Sequence, residues 1–283
     1  MKREEFLKKL KVLLSDIARE DLEQVEEYYQ ELIYDGLEQG FSEEQVISGF
    51  GTPEMVAQRV REEYGGLIPY SAQTKDPGYQ ASDMVHTIFV EAANVRIRVR
   101  TIKTGPIRVL FQPREGCDKV TFTEKDGVFS FVHKMKGLLH LNWLNLFMDF
   151  NIIILEIPEN FAGQLYIKTS NASIKVSNLN QLTKGEFISN NGKVRVENVR
   201  AERLLMQTEN GIVSGNHIIS DDIHMETCNG AVVGTIIGNK NDYFIESHTV
   251  NGFNNLENSM LTGKTKHLVA RTANGKIHID FVQ

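Results

Sequence analysis

Apolar and polar residues alternate with a period of two through the second half of the chain, around a short motif that recurs six times. The motif is a hydroxyl residue, any residue, Asn, and then Gly or Ala, and its asparagines lie 20, 19, 19, 22 and 23 positions apart. A fixed period of this size is typical of repeat architectures, in which each unit buries its apolar face against the next. The asparagines that mark the predicted turns are Asn171, Asn191, Asn210, Asn229, Asn251 and Asn274.

The copies align into columns around the Asn. Positions six and four before it, and three after it, are mostly apolar, and the position two before it is always Thr or Ser. This pattern predicts half-buried strands on both sides of a tight turn, in which Asn and Gly supply the positive φ that they tolerate. The Thr/Ser column falls on the inward side. We therefore expect its hydroxyls to bond turn backbone that would otherwise be unpaired.

Two architectures fit this pattern. In a β-solenoid each repeat is one coil, and equivalent side chains of consecutive coils stack. In an antiparallel sandwich or meander each Asn-Gly is a hairpin turn. The recurrence of the same columns at nearly constant length favours the solenoid. The fifth copy departs at Ser247 and Asn254, and we expect a looser loop in the Asn/Ser-rich stretch that runs to Ser259.

The first 64 residues have helical periodicity instead. Apolar residues recur every three or four positions from Phe6, Ser42 to Gln45 is a capping box, and Pro53 follows an N-cap threonine. We predict a helical bundle over residues 1–64, a linker over 65–84 and a large all-β domain over 85–283. The last has irregular strands to residue 160 and regular repeats from 161. The fold class is α+β, with the helices and strands in separate domains.

Charge divides the chain unevenly. Residues 1–64 contain 8 Lys+Arg and 16 Asp+Glu, whereas the remaining residues contain 23 and 21. An acidic surface repels phosphate backbones, so we expect the first module to bind a protein with a basic face and not nucleic acid directly. The candidate docking residues form one face of the second predicted helix. They are Glu23, Glu26, Glu27 and Glu31.

The motif series of the helical region resembles the HAAS-type signalling domain, a bacterial α-helical family associated with PadR-type transcriptional regulators. The resemblance rests on Glu5-Phe6-Leu7, Glu27-Tyr28-Tyr29, the run from Asp35 to Gly40, and Gly51-Thr52-Pro53-Glu54. It implies a protein-interaction role without catalytic residues, and a PadR-type regulator as partner. Many members continue into membrane helices, whereas residues 65–83 here contain no hydrophobic span.

Residues 85–283 resemble a bacterial family of β-strand repeats that is labelled as adhesins and has no known function. Irregular strands, a strand that ends at Ile157-Pro158, and the repeats of the Thr-x-Asn-Gly type follow one another in that order. The resemblance implies an alternative function, that of an adhesin or carbohydrate-binding solenoid associated with the cell surface.

Catalytic and metal-binding patterns are weak. Asp221, Asp222 and Asp242 are the nearest to an acidic cluster, and we interpret them as polar loop residues; a polysaccharide-active enzyme is a remote alternative. The histidines fall in different columns, and Cys117 and Cys228 have no metal-ligand spacing. We therefore expect no enzyme activity, no metal and no cofactor.

The densest apolar stretch, residues 138–148, contains Trp143 and Phe147. It is either an insertion that packs on the rest of the chain or an exposed surface for a partner. Polar residues interrupt it, so it does not predict a membrane span. No apolar leader follows Met1, and we expect a cytoplasmic protein. Either the solenoid ends or the stretch around Trp143 could support a homodimer, but nothing in the sequence requires one.

Overall fold

The computed structural model describes residues 1–17, 22, 25–26, 29–30, 33, 37, 42–65, 79–82, 84–111, 113, 118–135, 152–259 and 263–283. They form two compact units, one of helices within residues 1–65 and one of strands from residue 79 onward. A small helical part followed by a large all-β part confirms the predicted fold class.

The helical unit contains α1 (Arg3–Leu13), α2 (Glu43–Phe50) and α3 (Pro53–Gly65). Between α1 and α2, the described residues Leu22, Val25, Glu26, Tyr29, Gln30, Ile33 and Leu37 are also helical. The predicted capping box starts α2. The Gln45 N–H donates to Ser42 Oγ at 3.2 Å, and the Ser42 N–H donates to Gln45 Oε1 at 2.9 Å. These bonds satisfy two backbone donors that a helix start leaves unpaired.

Three aromatic rings join the helices of this unit. Phe6, Tyr29 and Phe50 lie with ring centroids 5.1 to 5.6 Å apart and are at most 3% exposed. At the surface, Arg61 of α3 donates to both carboxylate oxygens of Asp16, at 3.0 and 3.1 Å, and to a carbonyl at the end of α1. The rings supply the apolar core of the unit, while Arg61 holds the end of α1 against α3.

The strand unit contains fifteen strands, hydrogen-bonded into one sheet in the described part of the chain. They are β1 (Tyr79–Gln80), β2 (Thr87–Ala92), β3 (Arg96–Ile102), β4 (Arg108–Leu110), β5 (Asp118–Lys125), β6 (Val128–Met135), β7 (Ile152–Pro158), β8 (Gln164–Thr169), β9 (Ile174–Ser189), β10 (Val194–Thr208), β11 (Val213–Asn229), β12 (Val232–Ile237), β13 (Tyr243–Asn251), β14 (Lys266–Asn274) and β15 (Ile277–Val282).

Each coil consists of a strand segment before an Asn turn and another after it. β9, β10 and β11 are long because each runs from one Asn turn, through a second corner, to the next. Neighbouring coils are parallel, with Val194 opposite Val213 and Thr208 opposite Thr227. This register confirms the β-solenoid and excludes the antiparallel alternative, because hairpins would reverse every second strand.

The second corner uses the left-handed backbone that the Asn turns were expected to use. Asn178, Asn198 and His217 have φ values of 60°, 53° and 52°. Asn adopts this conformation more readily than most residues because its short polar side chain bonds locally. In the aligned repeats these corner residues form a second column, which is less regular than the Asn column of the turns because it holds both Asn and His.

The apolar columns lie inside the coils, as predicted. The column three residues after the Asn is fully buried in five coils, at Ile174, Val194, Val213, Val232 and Ile277. Removal of these stacked aliphatic side chains from water is the main force that holds one coil on the next.

The stacking order of the coils differs from their order in the chain near both ends. β2 lies between β6 and β8, and β14 lies between β11 and β13. The expectation that consecutive repeats stack on one another is therefore wrong for the copies at Asn251 and Asn274, which have exchanged places.

Inward side chains explain the exchange at the β13 end. The coil of β14 and β15 brings Leu268, Ala270 and Ile277 to the core, each buried. The coil of β13 instead brings Ser247 and Asn254 to the equivalent positions. The apolar coil lies inside and the polar one outside, because polar groups buried between two coils would lose hydrogen bonds.

Residues 254–259 close this end of the solenoid, so the looser loop that we expected is wrong. The Ser259 N–H donates to the Ile245 carbonyl at 3.1 Å, and the Ser247 N–H donates to Asn258 Oδ1 at 2.6 Å. Leu256 is 6% exposed and packs on the core. These contacts occupy the outer edge of β13, which would otherwise be open to pairing with another chain.

Antiparallel strands close the opposite end. β5 pairs with β6, and β4 pairs with β1 and β7. Aromatic rings at 5.1 to 6.1 Å pack over the last coil, and they are Tyr79, Phe111, Phe122, Phe129 and Phe131. The change from parallel to antiparallel pairing ends the repeat.

Candidate functional site

The repeat asparagines form a hydrogen-bonded ladder along one edge of the solenoid. From the second member onward, each Nδ2 donates to the Oδ1 of the preceding Asn in the stack at 2.5 to 2.8 Å. In stacking order the members are Asn94, Asn171, Asn191, Asn210, Asn229, Asn274 and Asn251. All are exposed. Neutral amides do not titrate near neutral pH, so this edge suits recognition and stiffness more than proton transfer.

The buried hydroxyl column ties each turn to its neighbour. Thr227 Oγ1 donates to the Gly211 carbonyl at 3.0 Å, and Ser189 Oγ donates to the Ala172 carbonyl at 2.9 Å. This confirms that the hydroxyls satisfy turn backbone. A turn carbonyl would otherwise have no partner inside the stack, which explains why the six motif copies have only Thr or Ser in this column.

The glycines of the motif serve close stacking and not backbone conformation. Neither these glycines nor the asparagines of the six motif copies have a positive φ, so that part of the prediction is wrong. A Cβ at Gly230 would lie 1.9 Å from the Gly211 carbonyl oxygen, and one at Gly192 would lie 2.1 Å from that of Ala172. At these glycines the backbones of neighbouring turns are thus in direct contact.

Asn94 is the ladder member that the sequence analysis missed. Its turn has neither the Thr nor the Gly of the motif, and its φ is 57°. A signal was present nevertheless: Ile88, Val90 and Ile97 occupy the apolar columns six and four before and three after it. The column pattern therefore extends further along the chain than the motif does.

The three acids considered for catalysis do not converge. Asp221 Oδ1 lies 3.3 Å from Lys266 Nζ, and Asp222 is opposite His267 in the neighbouring strand. Burial, together with the charges of Asp221 and Asp242, raises the pKa of Tyr243 to about 12. Within the described ranges, no three His, Cys, Asp or Glu side chains are placed to hold a metal ion.

Of the acidic docking candidates on the second helix, the structure describes Glu26. Its side chain is 20% exposed and accepts a hydrogen bond from Lys11 Nζ of α1 at 3.1 Å. Glu26 therefore helps to join two helices. Glu23, Glu27, Glu31, Trp143 and Phe147 lie outside the described residues, as does Cys117. Cys228 is an exposed free thiol near the end of β11.

The fold and the ladder define a protein with a small helical module and a parallel β-solenoid whose turns are stacked through Asn, Thr and Gly. The chain belongs to the Toastrack DUF4097 family, whose model matches residues 85–282. The HAAS model matches residues 5–59. Both resemblances drawn from the motifs are thereby confirmed. These families are of non-catalytic types, and HAAS domains mediate protein interactions.

Among solved structures, the crystal structure of a putative cell adhesion protein from Clostridium sporogenes is similar over 71% of this chain and 95% of that one. The identity is 12% and the TM-score is 0.41. A search of curated proteins finds no match. None of the helices that the structure describes is long and apolar enough to cross a membrane.

Proposed function

We propose that this chain is a non-enzymatic regulatory or scaffolding protein. Its helical module binds a protein partner, and its solenoid supplies a rigid second surface for assembly. The observation that carries this proposal is the match of residues 5–59 to the HAAS model, joined in one chain to a Toastrack solenoid. The ladder and the buried hydroxyl column support the rigid role, because they link each turn directly to the next.

The proposed partner is a PadR-type transcriptional regulator with a basic face. Residues 1–64 contain twice as many acidic as basic residues, 16 against 8, which favours such a face electrostatically. Because Glu26 is paired with Lys11, the proposed docking acids are Glu23, Glu27 and Glu31. Trp143 and Phe147 are proposed as an apolar second contact. We propose the cytoplasm as its location, because a transcriptional regulator acts there.

The test measures binding of the full chain to a purified PadR-type regulator from the same genome. Replacement of Glu23, Glu27 and Glu31 by Lys should weaken binding about tenfold or more at low salt, and the difference should shrink as salt is added. The matched control reverses the same number of exposed acids on the solenoid, Glu159, Glu202 and Glu257. It should bind as the unaltered chain does.

Equal loss in both triple variants, or no binding by the unaltered chain, would count against this partner. Specific binding of the full chain to a glycan, with no affinity for the regulator, would support the adhesin alternative instead.

A further inference from the structure

One segment of the solenoid is inserted between two coils that both precede it in the chain. We call residues 264–283 the inserted arm. Its β14 pairs with β11 on one side and β13 on the other, and its β15 pairs with β12 and, through Ile277, with Asn254. The arm therefore fills a slot that is one coil wide, and the outer coil is attached to the solenoid mainly through it.

Both walls of the slot bind the arm with the contacts that join all other coils. Thr272 Oγ1 donates to the Gly230 carbonyl of the inner wall at 2.9 Å, and Thr249 Oγ1 of the outer wall donates to the Gly275 carbonyl at 2.9 Å. An ion pair adds to these hydrogen bonds, since Arg271 of the arm lies 3.1 Å from Glu246 of the outer wall. The segment that fits the slot thus consists of a strand, a Thr-x-Asn-Gly turn and a second strand.

The described residues before and after positions 260–262 lie at opposite edges of β13. Ser259 bonds to the outer edge of β13, through Ile245, whereas Lys266 is opposite Tyr243 on its inner edge. Gly263 has a φ of +76° with open space around it, which suits a change of direction. Every contact that holds the arm is made by residues 264 onward, so none of them depends on which chain supplies the connection.

We propose that the slot also accepts the inserted arm of a second copy, which gives a dimer with reciprocally exchanged arms. In this dimer each arm makes the same hydrogen bonds, ion pairs and apolar contacts as in the monomer, and only the path between Ser259 and Lys264 differs. Exchange of an identical element therefore forms a dimer at a small cost in free energy, because the monomer contacts are kept. The occupant is a second copy because both walls pair with β14 in register along its length, and a second copy carries this same arm. The inference does not depend on the proposed partner of the helical module.

A disulfide across the slot reports which chain fills it. His248 and Arg271 are opposite each other on β13 and β14, and both are exposed. Strands lie about 4.8 Å apart, within the Cα separation that a disulfide bridges. In a background with Cys117→Ser and Cys228→Ser, the variant His248→Cys/Arg271→Cys is incubated in mild denaturant at rising protein concentration, returned to buffer and oxidised.

Arm exchange predicts a reducible covalent dimer whose fraction rises with protein concentration. The matched control is Arg203→Cys/Asp222→Cys, an exposed pair opposite each other on β10 and β11, neither of which belongs to the arm. It should give cross-linked monomer only. Cross-linked monomer alone from the His248/Arg271 pair at every concentration would overturn the proposal.

A second variant forces the choice. Deletion of residues 260–262 leaves Gly263 alone between Ser259 and Lys264, which should disfavour a connection from the outer to the inner edge of β13 within one chain. We expect a dimer of about twice the monomer mass by light scattering, with the His248/Arg271 disulfide joining two chains. A folded monomer, or a dimer in which that disulfide forms within one chain, would overturn the proposal.

Discussion

Asn255 pairs with the backbone of Ile279 through both ends of its side-chain amide. Its Nδ2 donates to the Ile279 carbonyl at 3.1 Å, and its Oδ1 accepts from the Ile279 N–H at 3.0 Å. The amide thus replaces one residue of a neighbouring strand at the edge of β15. The solenoid ends here because side chains, instead of another coil, satisfy its last backbone groups.

Replacement Asn255→Ala should lower the free energy of unfolding by about 1–3 kcal/mol, since two backbone groups of Ile279 lose their partner. Urea unfolding measures the change. Glu257→Ala, at an exposed position of the same segment, is the control and should be nearly neutral. An equal effect of the two variants would show that the hydrogen bonds of the Asn255 amide to Ile279 do not stabilise this end of the solenoid.

Replacement Gly230→Ala should destabilise the solenoid by roughly 3 kcal/mol, because the new Cβ would overlap the Gly211 carbonyl oxygen of the adjacent turn. The control is Ala172→Gly, the reverse change in the same column of the motif. A shift in thermal unfolding is expected for the first variant and little for the second. Equal stability of Gly230→Ala and the unaltered chain would disprove backbone contact between the turns.

Glu156 should be sensitive to replacement, because it is a buried acid at the β5 end. Its side chain is 6% exposed and lies between Arg100 and Arg108, with 2.7 Å from Arg108 Nη2 to Glu156 Oε2. Glu156→Ala leaves two guanidinium groups together without the acid and should cost about 3 kcal/mol in the free energy of unfolding. Glu159→Ala, exposed just beyond the same strand, is the control. Similar denaturation midpoints for both would contradict this role.

Tyr243 should make the protein less stable at alkaline pH. Its buried hydroxyl donates to the Ser220 carbonyl at 2.8 Å, and burial, with the charges of Asp221 and Asp242, raises its pKa from 10.0 to about 12. Folding thus favours the neutral phenol. Its contribution is fully present below pH 10 and is lost as the pH rises towards 12, by about 2–3 kcal/mol at most.

Urea unfolding at pH 8, 10 and 11 tests this expectation. Tyr243→Phe should be less stable at pH 8, because it loses the hydrogen bond to Ser220, but should lose less stability with rising pH than the unaltered chain. Tyr166→Phe, at a half-buried tyrosine of β8, is the control and should retain the alkaline loss. Parallel pH curves for the unaltered chain and Tyr243→Phe would disprove the assignment to this phenol.

The local sequence pattern predicted most of the architecture, because the residues that define each repeat lie close together in the chain. Period-two columns around Asn210 and Asn229 identified the strands, and the Thr column identified the hydroxyls that bond turn carbonyls. The capping box at Ser42 was equally local. In each case the partner that satisfies a group lies either a few residues away or in an equivalent position of the next repeat.

The role of glycine was misjudged for a reason that is not local. Asn-Gly is compatible both with a positive φ and with close stacking, and the sequence does not show which atom lies above Gly230. Only the neighbouring coil, 19 residues earlier in the column, brings the Gly211 carbonyl to that point. The ladder member Asn94 was missed likewise, because its turn differs while its apolar columns match.

By itself, the sequence determined that the chain has an acidic helical module and a repeat whose coils share one register. The tertiary structure decided the order of those coils. The copies at Asn251 and Asn274 carry the same turn motif, so either could stack on Asn229. Burial separates them: Ala270 and Ile277 are stable between two coils, whereas Ser247 and Asn254 need the hydrogen bonds available at an end. This difference in burial arises only when both coils are folded against their neighbours, so it depends on tertiary structure.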